Sequence, residues 1–278
     1  MKYVLYNPMS NNGQADEQVK PFIEKLGECE KMDVTKTQVR SLVEGLTAED
    51  EVYLLGGDGT LNRFANDVYG LDIEAAVYFA PTGTGNDFIN DVKDKMSGEY
   101  IKINEYVKNL PLIEVNGKTY RFINGVGYGL DGMCCQVADD MRAAGKDKIN
   151  YTFIAIKLLL KDYKPLSAKV VVDGVEKTYD HVWILPTMKG RFYGGGMMVA
   201  PEQDRLDKEG KVTVLIAHSK SRLKTFLNFP KIKSGKHSKL KMCETLTGKE
   251  VYIEYERPTA MQIDGETVRD VKCCTIKA

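Results

Sequence analysis

The chain carries no net charge: 39 acidic residues balance 39 basic ones over 278 positions. No global field therefore gathers nucleic acid or holds the protein to an acidic surface, and any such attraction must be local. No nucleic-acid partner is expected. The chain also lacks an uncharged apolar run near the ~20 residues that a spanning helix needs. The nearest stretch, Tyr151 to Leu160, is short and broken by Lys157, so no transmembrane segment is expected and the stretch reads as an amphipathic, partly buried helix. The six cysteines, Cys29, Cys134, Cys135, Cys243, Cys273 and Cys274, show no Cys-x-x-Cys or Cys/His spacing of a zinc site. The start, Met1-Lys2-Tyr3, opens a strand-like run rather than a signal peptide. A reducing cytoplasm fits both observations. Cys134-Cys135 and Cys273-Cys274 read as buried small apolar residues, the three histidines have no ligand spacing, and Trp183 is expected in a β core. Internal repeats and low-complexity linkers are missing as well. The length suits two domains of ~100 to 200 residues.

What is present begins as alternating strand and helix signals. Strand runs at Lys2–Tyr6, Met32–Thr35, Glu51–Leu55 and Ala75–Phe79 are each followed by a helical stripe. The stripes are Val19/Phe22/Ile23/Leu26, Val39/Leu42/Val43/Leu46, Leu61/Phe64/Ala65/Val68 and Phe88/Ile89/Val92. Such units need crossovers, and they predict an α/β domain with a mainly parallel sheet over residues 1–111. From residue 112 the pattern changes to hairpins. Leu112–Val115 and Lys118–Ile123 flank Asn116-Gly117, and Lys169–Val172 and Val175–Tyr179 flank Asp173-Gly174. Further strands are predicted at His181–Leu185, Lys211–Ile216, Val251–Tyr255 and Met261–Ile263, with one helical insertion over Gln136–Tyr163. Residues 112–278 thus read as a mainly antiparallel β domain.

Three loops carry the chemistry. Gly56-Gly57-Asp58-Gly59-Thr60-Leu61-Asn62 joins a strand to a helix, where glycines allow close backbone approach and the helix N-terminus suits phosphate. An Asp in such a turn repels the anion unless it contacts a metal ion or takes a proton from an attacking hydroxyl, which marks Asp58; the plainer alternative is an ordinary Gly-Asp-Gly turn. Pro81-Thr82-Gly83-Thr84-Gly85-Asn86-Asp87 follows the next strand, with Asn86 or Asp87 able to cap the helix it opens. Adjacent parallel strands place their carboxyl ends side by side, where open α/β sheets hold ligands. The third loop, Asn7-Pro8-Met9-Ser10-Asn11-Asn12-Gly13, offers small polar groups at the same edge. It contains neither a Walker-type Gly-x-x-x-x-Gly-Lys-Ser/Thr nor a Gly-x-Gly-x-x-Gly.

Together these loops resemble the diacylglycerol kinase catalytic domain family, its bacterial soluble lipid kinases in particular, with sphingosine and NAD kinases as more distant relatives. Later stretches match further motifs in order: Phe122 through Asp131 (Phe-Ile-Asn-Gly-Val-Gly-Tyr-Gly-Leu-Asp), Gly194-Gly195-Gly196-Met197 with Ala200-Pro201, and Ile263-Asp264-Gly265-Glu266. The resemblance implies a nucleotide-binding α/β domain, a C-terminal β-sandwich and an active site in the cleft between them. It implies an ATP-dependent kinase that transfers the γ-phosphoryl group to a hydroxyl of a lipid such as diacylglycerol, with magnesium. Asn7, Pro8, Ser10, Asn11, Thr37, Gly56, Gly57, Asp58, Gly59, Thr60, Leu61, Asn62, Gly83, Thr84, Gly85 and Asn86 would bind ATP. Asp58 would lie near the phosphates and magnesium, Glu266 matches the family's proposed proton acceptor, and Asp207 falls where bacterial members hold a structural magnesium ion.

The chain departs from the family at Arg63, where many relatives have Glu, so a helper carboxylate is replaced by a positive charge. That motivates a rival reading, a catalytically weak nucleotide-binding regulatory module; NAD kinase is a further rival, though only the glycine loop supports it. The stretch Leu206–Gly210 is longer than the usual family turn, and a solvated hairpin carboxylate is the plain alternative for Glu266. Between Ser219 and Lys241 eight cations interleave with Leu223, Phe226, Leu227, Phe229 and Ile232. They read either as a solvated helix face or as a surface resting on anionic headgroups. The expected setting is cytoplasmic, peripheral at the inner membrane surface, with a lipid substrate met there. Oligomeric state is not legible.

Overall fold

In the computed structural model the apolar runs of the first half become buried strands. β1 (Lys2–Tyr6), β2 (Glu30–Asp33), β3 (Glu51–Gly56), β4 (Ala76–Pro81) and β5 (Ile101–Lys102) form one sheet in the order β2-β1-β3-β4-β5. The first four are parallel and β5 is antiparallel to β4. The structure describes residues 1–8, 15–83, 86–146 and 148–278, without the side chains of residues 15, 16 and 18. Two units result, Met1–Leu110 and Pro111–Ala278.

The helices of the first unit are α1 (Ala15–Leu26), α2 (Val39–Glu44), α3 (Asp58–Asp67), α4 (Asp87–Val92) and α5 (Asn104–Lys108). Val4, Leu5, Val52, Leu54, Val77 and Phe79 are fully buried in the sheet, and Leu61 and Phe64 bury the inner stripe of α3. The weak second strand lies two residues earlier than its expected span of Met32–Thr35. Asp33 ends it, because its carboxylate accepts the N–H and hydroxyl of Thr35 and its carbonyl accepts the N–H of Thr37, which turns the chain.

The second unit contains β6 (Leu112–Val115), β7 (Lys118–Arg121), β8 (Gly125–Tyr128), β9 (Leu166–Val172), β10 (Val175–Ile184), β11 (Thr187–Met188), β12 (Phe192–Tyr193), β13 (Met197–Met198), β14 (Val212–His218), β15 (Cys243–Gly248), β16 (Glu250–Ile263) and β17 (Glu266–Lys277). Ten of these form one antiparallel sheet, β7-β6-β17-β16-β8-β11-β14-β10-β9 with β15 on β14, while β12 and β13 make a separate ribbon. The sheet folds back on itself because β16 changes partner along its length: Val251–Tyr255 pair with β9, and Met261–Ile263 with β8. Val170, Val182, Val214, Ile253 and Tyr255 are among the side chains that fill the space thus enclosed.

Val251–Tyr255 and Met261–Ile263 belong to one strand, whose register shifts between Glu254 and Met261 absorb Pro258. His181–Leu185 is no separate strand but mostly the end of β10, reached past an irregularity where His181 adopts φ 55°. The helical insertion is two helices, α6 (Leu130–Ala143) and α7 (Tyr151–Lys157), with a π-helical turn over Leu158–Asp162. Gly145 at φ 79° stops the first of them. All six cysteines are free, and Cys273 is exposed while its neighbour Cys274 is buried, since successive residues of β17 face opposite ways. Trp183 is buried as expected. Among the described residues no helix is long and apolar enough to cross a membrane.

Candidate nucleotide site and motif cluster

The parallel register fixes where the predicted loops emerge. Tyr6 lies beside both Asp33 and Leu55, Leu55 beside Ala80, and Gly56 beside Pro81, so four carboxyl ends share one edge of the sheet. Asn7 and Pro8, Thr37, the Gly57–Asp58 turn and Thr82–Gly83 all leave from it. Ser10, Asn11, Thr84 and Gly85 lie outside the described residues. Thr37 is turned toward the end of β2, where its hydroxyl donates to the carbonyl of Asp33 at 2.8 Å.

The two glycine turns touch. The N–H of Thr82 donates to the carbonyl of Gly56 at 2.9 Å, and a Cβ on Gly83 would stand 2.7 Å from the Cα of Gly57. Gly83→Ala is therefore expected to push the turns apart, costing about 1 to 3 kcal/mol of stability read by urea denaturation. An unchanged urea midpoint would show that this close approach is dispensable. By contrast, a Cβ on Gly59 would meet nothing within 4 Å among the described residues, so protein packing does not demand that glycine. The N–H groups of Asp58, Gly59 and Thr60 precede the first intrahelical bond, from the N–H of Leu61 to the carbonyl of Gly57. This is the kind of helix start that receives an anion.

Asp58 does something the sequence did not disclose. Its carboxylate accepts the N–H of Asp87 at 2.7 Å and that of Phe88 at 3.1 Å. It thereby caps α4 from a different loop, and the expected cap from Asn86 or Asp87 is not formed by Asn86. Asn86 instead donates its amide to the carbonyl of Gly83 at 2.9 Å. Its buried Oδ1 has no partner among the described residues. A carboxylate offers about four lone-pair sites, so Asp58 can accept both N–H groups and still face a cation. The donor set fits a magnesium ion carried mainly by phosphate oxygens. Asn62 interacts with Asn66 one turn along α3, and Arg63 is exposed there, its charge partly offsetting the burial that raises the carboxyl of Asp67.

In the second unit the later motifs interlock. Asp264, at φ 45° in the β16–β17 turn, accepts the N–H groups of Ile123, Asn124 and Gly125 at 2.6, 2.9 and 2.9 Å. Asn124 also accepts from Lys189 and Gly190 through its carbonyl and from the buried Arg205 through Oδ1, and Arg205 donates to the carbonyl of Ile123. Glu266 follows this turn, exposed and paired across the hairpin with Ile263. Asp207 closes its own turn by accepting the N–H of Lys211 at 2.9 Å, a bond that holds its carboxyl below the usual range. No group of three His, Cys, Asp or Glu side chains converges as a metal site among the described residues.

Asp131 lies at the start of α6. Its Oδ2 accepts the hydroxyl of Tyr193 at 2.9 Å, while its buried Oδ1 has no partner among the described residues. Oδ2 lies where a Cβ on Gly127 would fall, 2.3 Å away, next to Gln262, whose Oε1 accepts the N–H of Gly265. Burial pushes this carboxyl up to about 7, against a smaller opposing effect of the Tyr193 bond. The native state thus keeps a proton that the unfolded chain releases near pH 4. Stability contributed by the neutral carboxyl is complete below pH 4, falls as pH rises, and is lost above about 7, an effect on the order of 4 kcal/mol. Asp131→Asn is expected to be more stable than the parent at pH 8 and nearly equal to it at pH 4. Equal differences at both pH values, read from urea midpoints, would refute the assignment. The signal in the sequence was an Asp closing a glycine-rich run, but only the fold shows it buried.

A parallel α/β sheet with two interlocked glycine turns at its strand tips is followed in the same chain by a folded-back antiparallel sheet, and this defines a two-unit architecture of an α/β domain and a β-rich domain. Residues 2–112 match the diacylglycerol kinase catalytic domain, and residues 124–275 match the YegS C-terminal NAD kinase beta sandwich-like domain; the chain belongs to this kinase family. A protein of Mycobacterium tuberculosis (strain CDC 1551 / Oshkosh) named diacylglycerol kinase is 28% identical over 265 residues, covering 90% of this chain and 84% of that protein. A crystal structure described as a diacylglycerol kinase from Bacillus anthracis str. Sterne superposes with a TM-score of 0.68 at 19% identity, covering 99% of this chain and 93% of that one, which is a likeness of fold.

Proposed function

We propose that the protein is an ATP-dependent lipid kinase that transfers the γ-phosphoryl group to a hydroxyl of a lipid such as diacylglycerol. The observation that carries this is the meeting of the two glycine turns at the strand tips, fastened by Asp58, in a chain of this family. In this reading the N–H groups at the start of α3 and the turn at Gly83 hold the phosphates, with Asn7, Pro8, Ser10, Asn11, Thr37, Thr84, Gly85 and Asn86 lining the nucleotide. Magnesium, held by phosphate oxygens and Asp58, would neutralise charge that grows during transfer. Asp58 keeps the turns aligned, and Glu266, an exposed carboxylate, takes the proton of the acceptor hydroxyl. Positioning and electrostatics supply most of the acceleration.

The test is radiolabelled ATP with magnesium, offering diacylglycerol, monoacylglycerol, a sphingoid base and NAD in parallel. Label entering a lipid supports the proposal, and label entering NAD alone would replace it with NAD kinase. Magnesium-ATP binding with no labelled product in any arm would replace it with a nucleotide-binding module.

A further inference from the structure

The balanced charge of the chain conceals a strong local segregation. From Ser219 to Lys241 there are eight cations and no acidic residue. Most of the helical part is α8 (Arg222–Lys233), whose Ser221 cap accepts the N–H of Lys224. At about 100° per residue, Arg222, Thr225, Phe226, Phe229 and Ile232 fall on one side of α8, and Thr225 and Ile232 are indeed buried there. Leu223, Leu227, Lys224 and Lys231 fall on the other side, and Lys220 lies just ahead of the Ser221 cap. Leu223 and Leu227 are 65% and 64% exposed, which no packing within the second unit explains.

A second stripe adjoins the first. Arg222 donates to the carbonyls of Leu158, Leu159 and Tyr163, so the first turn of α8 is fastened to the π-helical turn that ends α7. Ile154, Leu158 and Leu159 face inward, whereas Phe153 is 65% exposed and Ile156 and Leu160 are 42% and 46% exposed. Lys161 and Lys164 flank this stripe and are exposed as well. Among the described residues Lys161, Lys164, Lys220, Lys224 and Lys231 form no ion pair, unlike Lys157, which meets Asp162 at 3.4 Å.

We propose that the joined outer faces of α7 and α8 dock the protein on an anionic lipid bilayer, with Phe153, Ile156, Leu160, Leu223 and Leu227 entering the headgroup boundary and the lysines contacting lipid phosphates. Aliphatic and aromatic tips among unpaired cations complement a surface that is apolar beneath and negative above. A nucleic acid would use the cations but not the leucines. The inference deepens the lipid-kinase reading by saying where the enzyme would meet its acceptor, yet it can fail separately.

The test uses the full chain without nucleotide, sedimented with vesicles of phosphatidylcholine alone and of phosphatidylcholine mixed with phosphatidylglycerol. Binding should require the anionic lipid and weaken with salt. Each cation near the surface accounts for about fivefold, so Lys220→Glu/Lys224→Glu/Lys231→Glu should lower binding at least about a hundredfold. Leu223→Ser/Leu227→Ser should lower it about tenfold even at low salt. Both variants should phosphorylate a short-chain, water-soluble diacylglycerol at the parent's rate. Vesicle binding unchanged in either variant overturns the proposal, as does concentration-dependent self-association that the serine variant abolishes while the parent ignores vesicles. A parent that binds anionic vesicles but phosphorylates no soluble lipid would sink the kinase reading and leave the docking face standing.

Discussion

Asp58→Asn should reduce lipid phosphorylation about a thousandfold, and it should do so by separating two loops as well as by removing a charge. In the parent both carboxylate oxygens accept N–H groups at the start of α4, at 2.7 and 3.1 Å. Asparagine keeps one accepting oxygen, but its amide turns a second donor toward the remaining N–H, so attraction becomes repulsion. The lost charge-assisted bond should cost about 1 to 3 kcal/mol, leaving the first unit folded. The displaced Gly83 turn should weaken magnesium-ATP binding at least tenfold, and misplacement of the γ-phosphate by about 1 Å accounts for a further hundredfold in turnover. Calorimetry and single-turnover labelling separate these parts. A variant that turns over at the parent's rate would remove Asp58 from the site. One that binds ATP normally and fails only in turnover would restore a purely chemical role and contradict the latch.

This role shows what the sequence could and could not disclose. Strand and helix periodicity in the first unit depends on neighbours three or four residues apart, and so the elements were legible. The hairpins at Asn116-Gly117 and Asp173-Gly174 were equally so, because only residues tolerant of positive φ fit there: 48° and 71°, 49° and 81°. An Asp in this glycine turn allows three explanations from the sequence, a metal contact, a proton acceptor or an ordinary turn residue. The fold supplies another, the N–H groups of a helix 29 residues further on. No local pattern announces such a bond. Likewise the sequence reads as two strands, Val251–Tyr255 and Met261–Ile263, where one continues, since only partner strands on both sides can carry a chain through the irregularity. The exposed α7 and α8 faces were legible as sequence, but their fastening through Arg222 to three carbonyls was not.

The later motifs make the second large prediction. Phe122–Gly125 and Ile263–Glu266 stand about 140 residues apart, and Asp264 joins them through three backbone N–H groups whose residues are buried, Ile123 at 1% and Asn124 at 3% exposure. Asp264→Ala should therefore destabilise the second unit by about 5 kcal/mol, since three charge-assisted bonds vanish and their donors remain buried without acceptors. That is a large share of the roughly 5 to 15 kcal/mol available to a folded protein. Trp183 is the chain's single tryptophan and lies in the second unit, so its fluorescence during urea unfolding reports this loss directly. Backbone strain is separable from hydrogen bonding, because Asp264 holds φ 45°, which glycine adopts without cost. Asp264→Gly should stay within about 1 kcal/mol of the alanine variant if the acceptor matters most. A glycine variant as stable as the parent would mean that the three N–H groups find other acceptors and that the turn geometry, not the carboxylate, holds Asn124 in place.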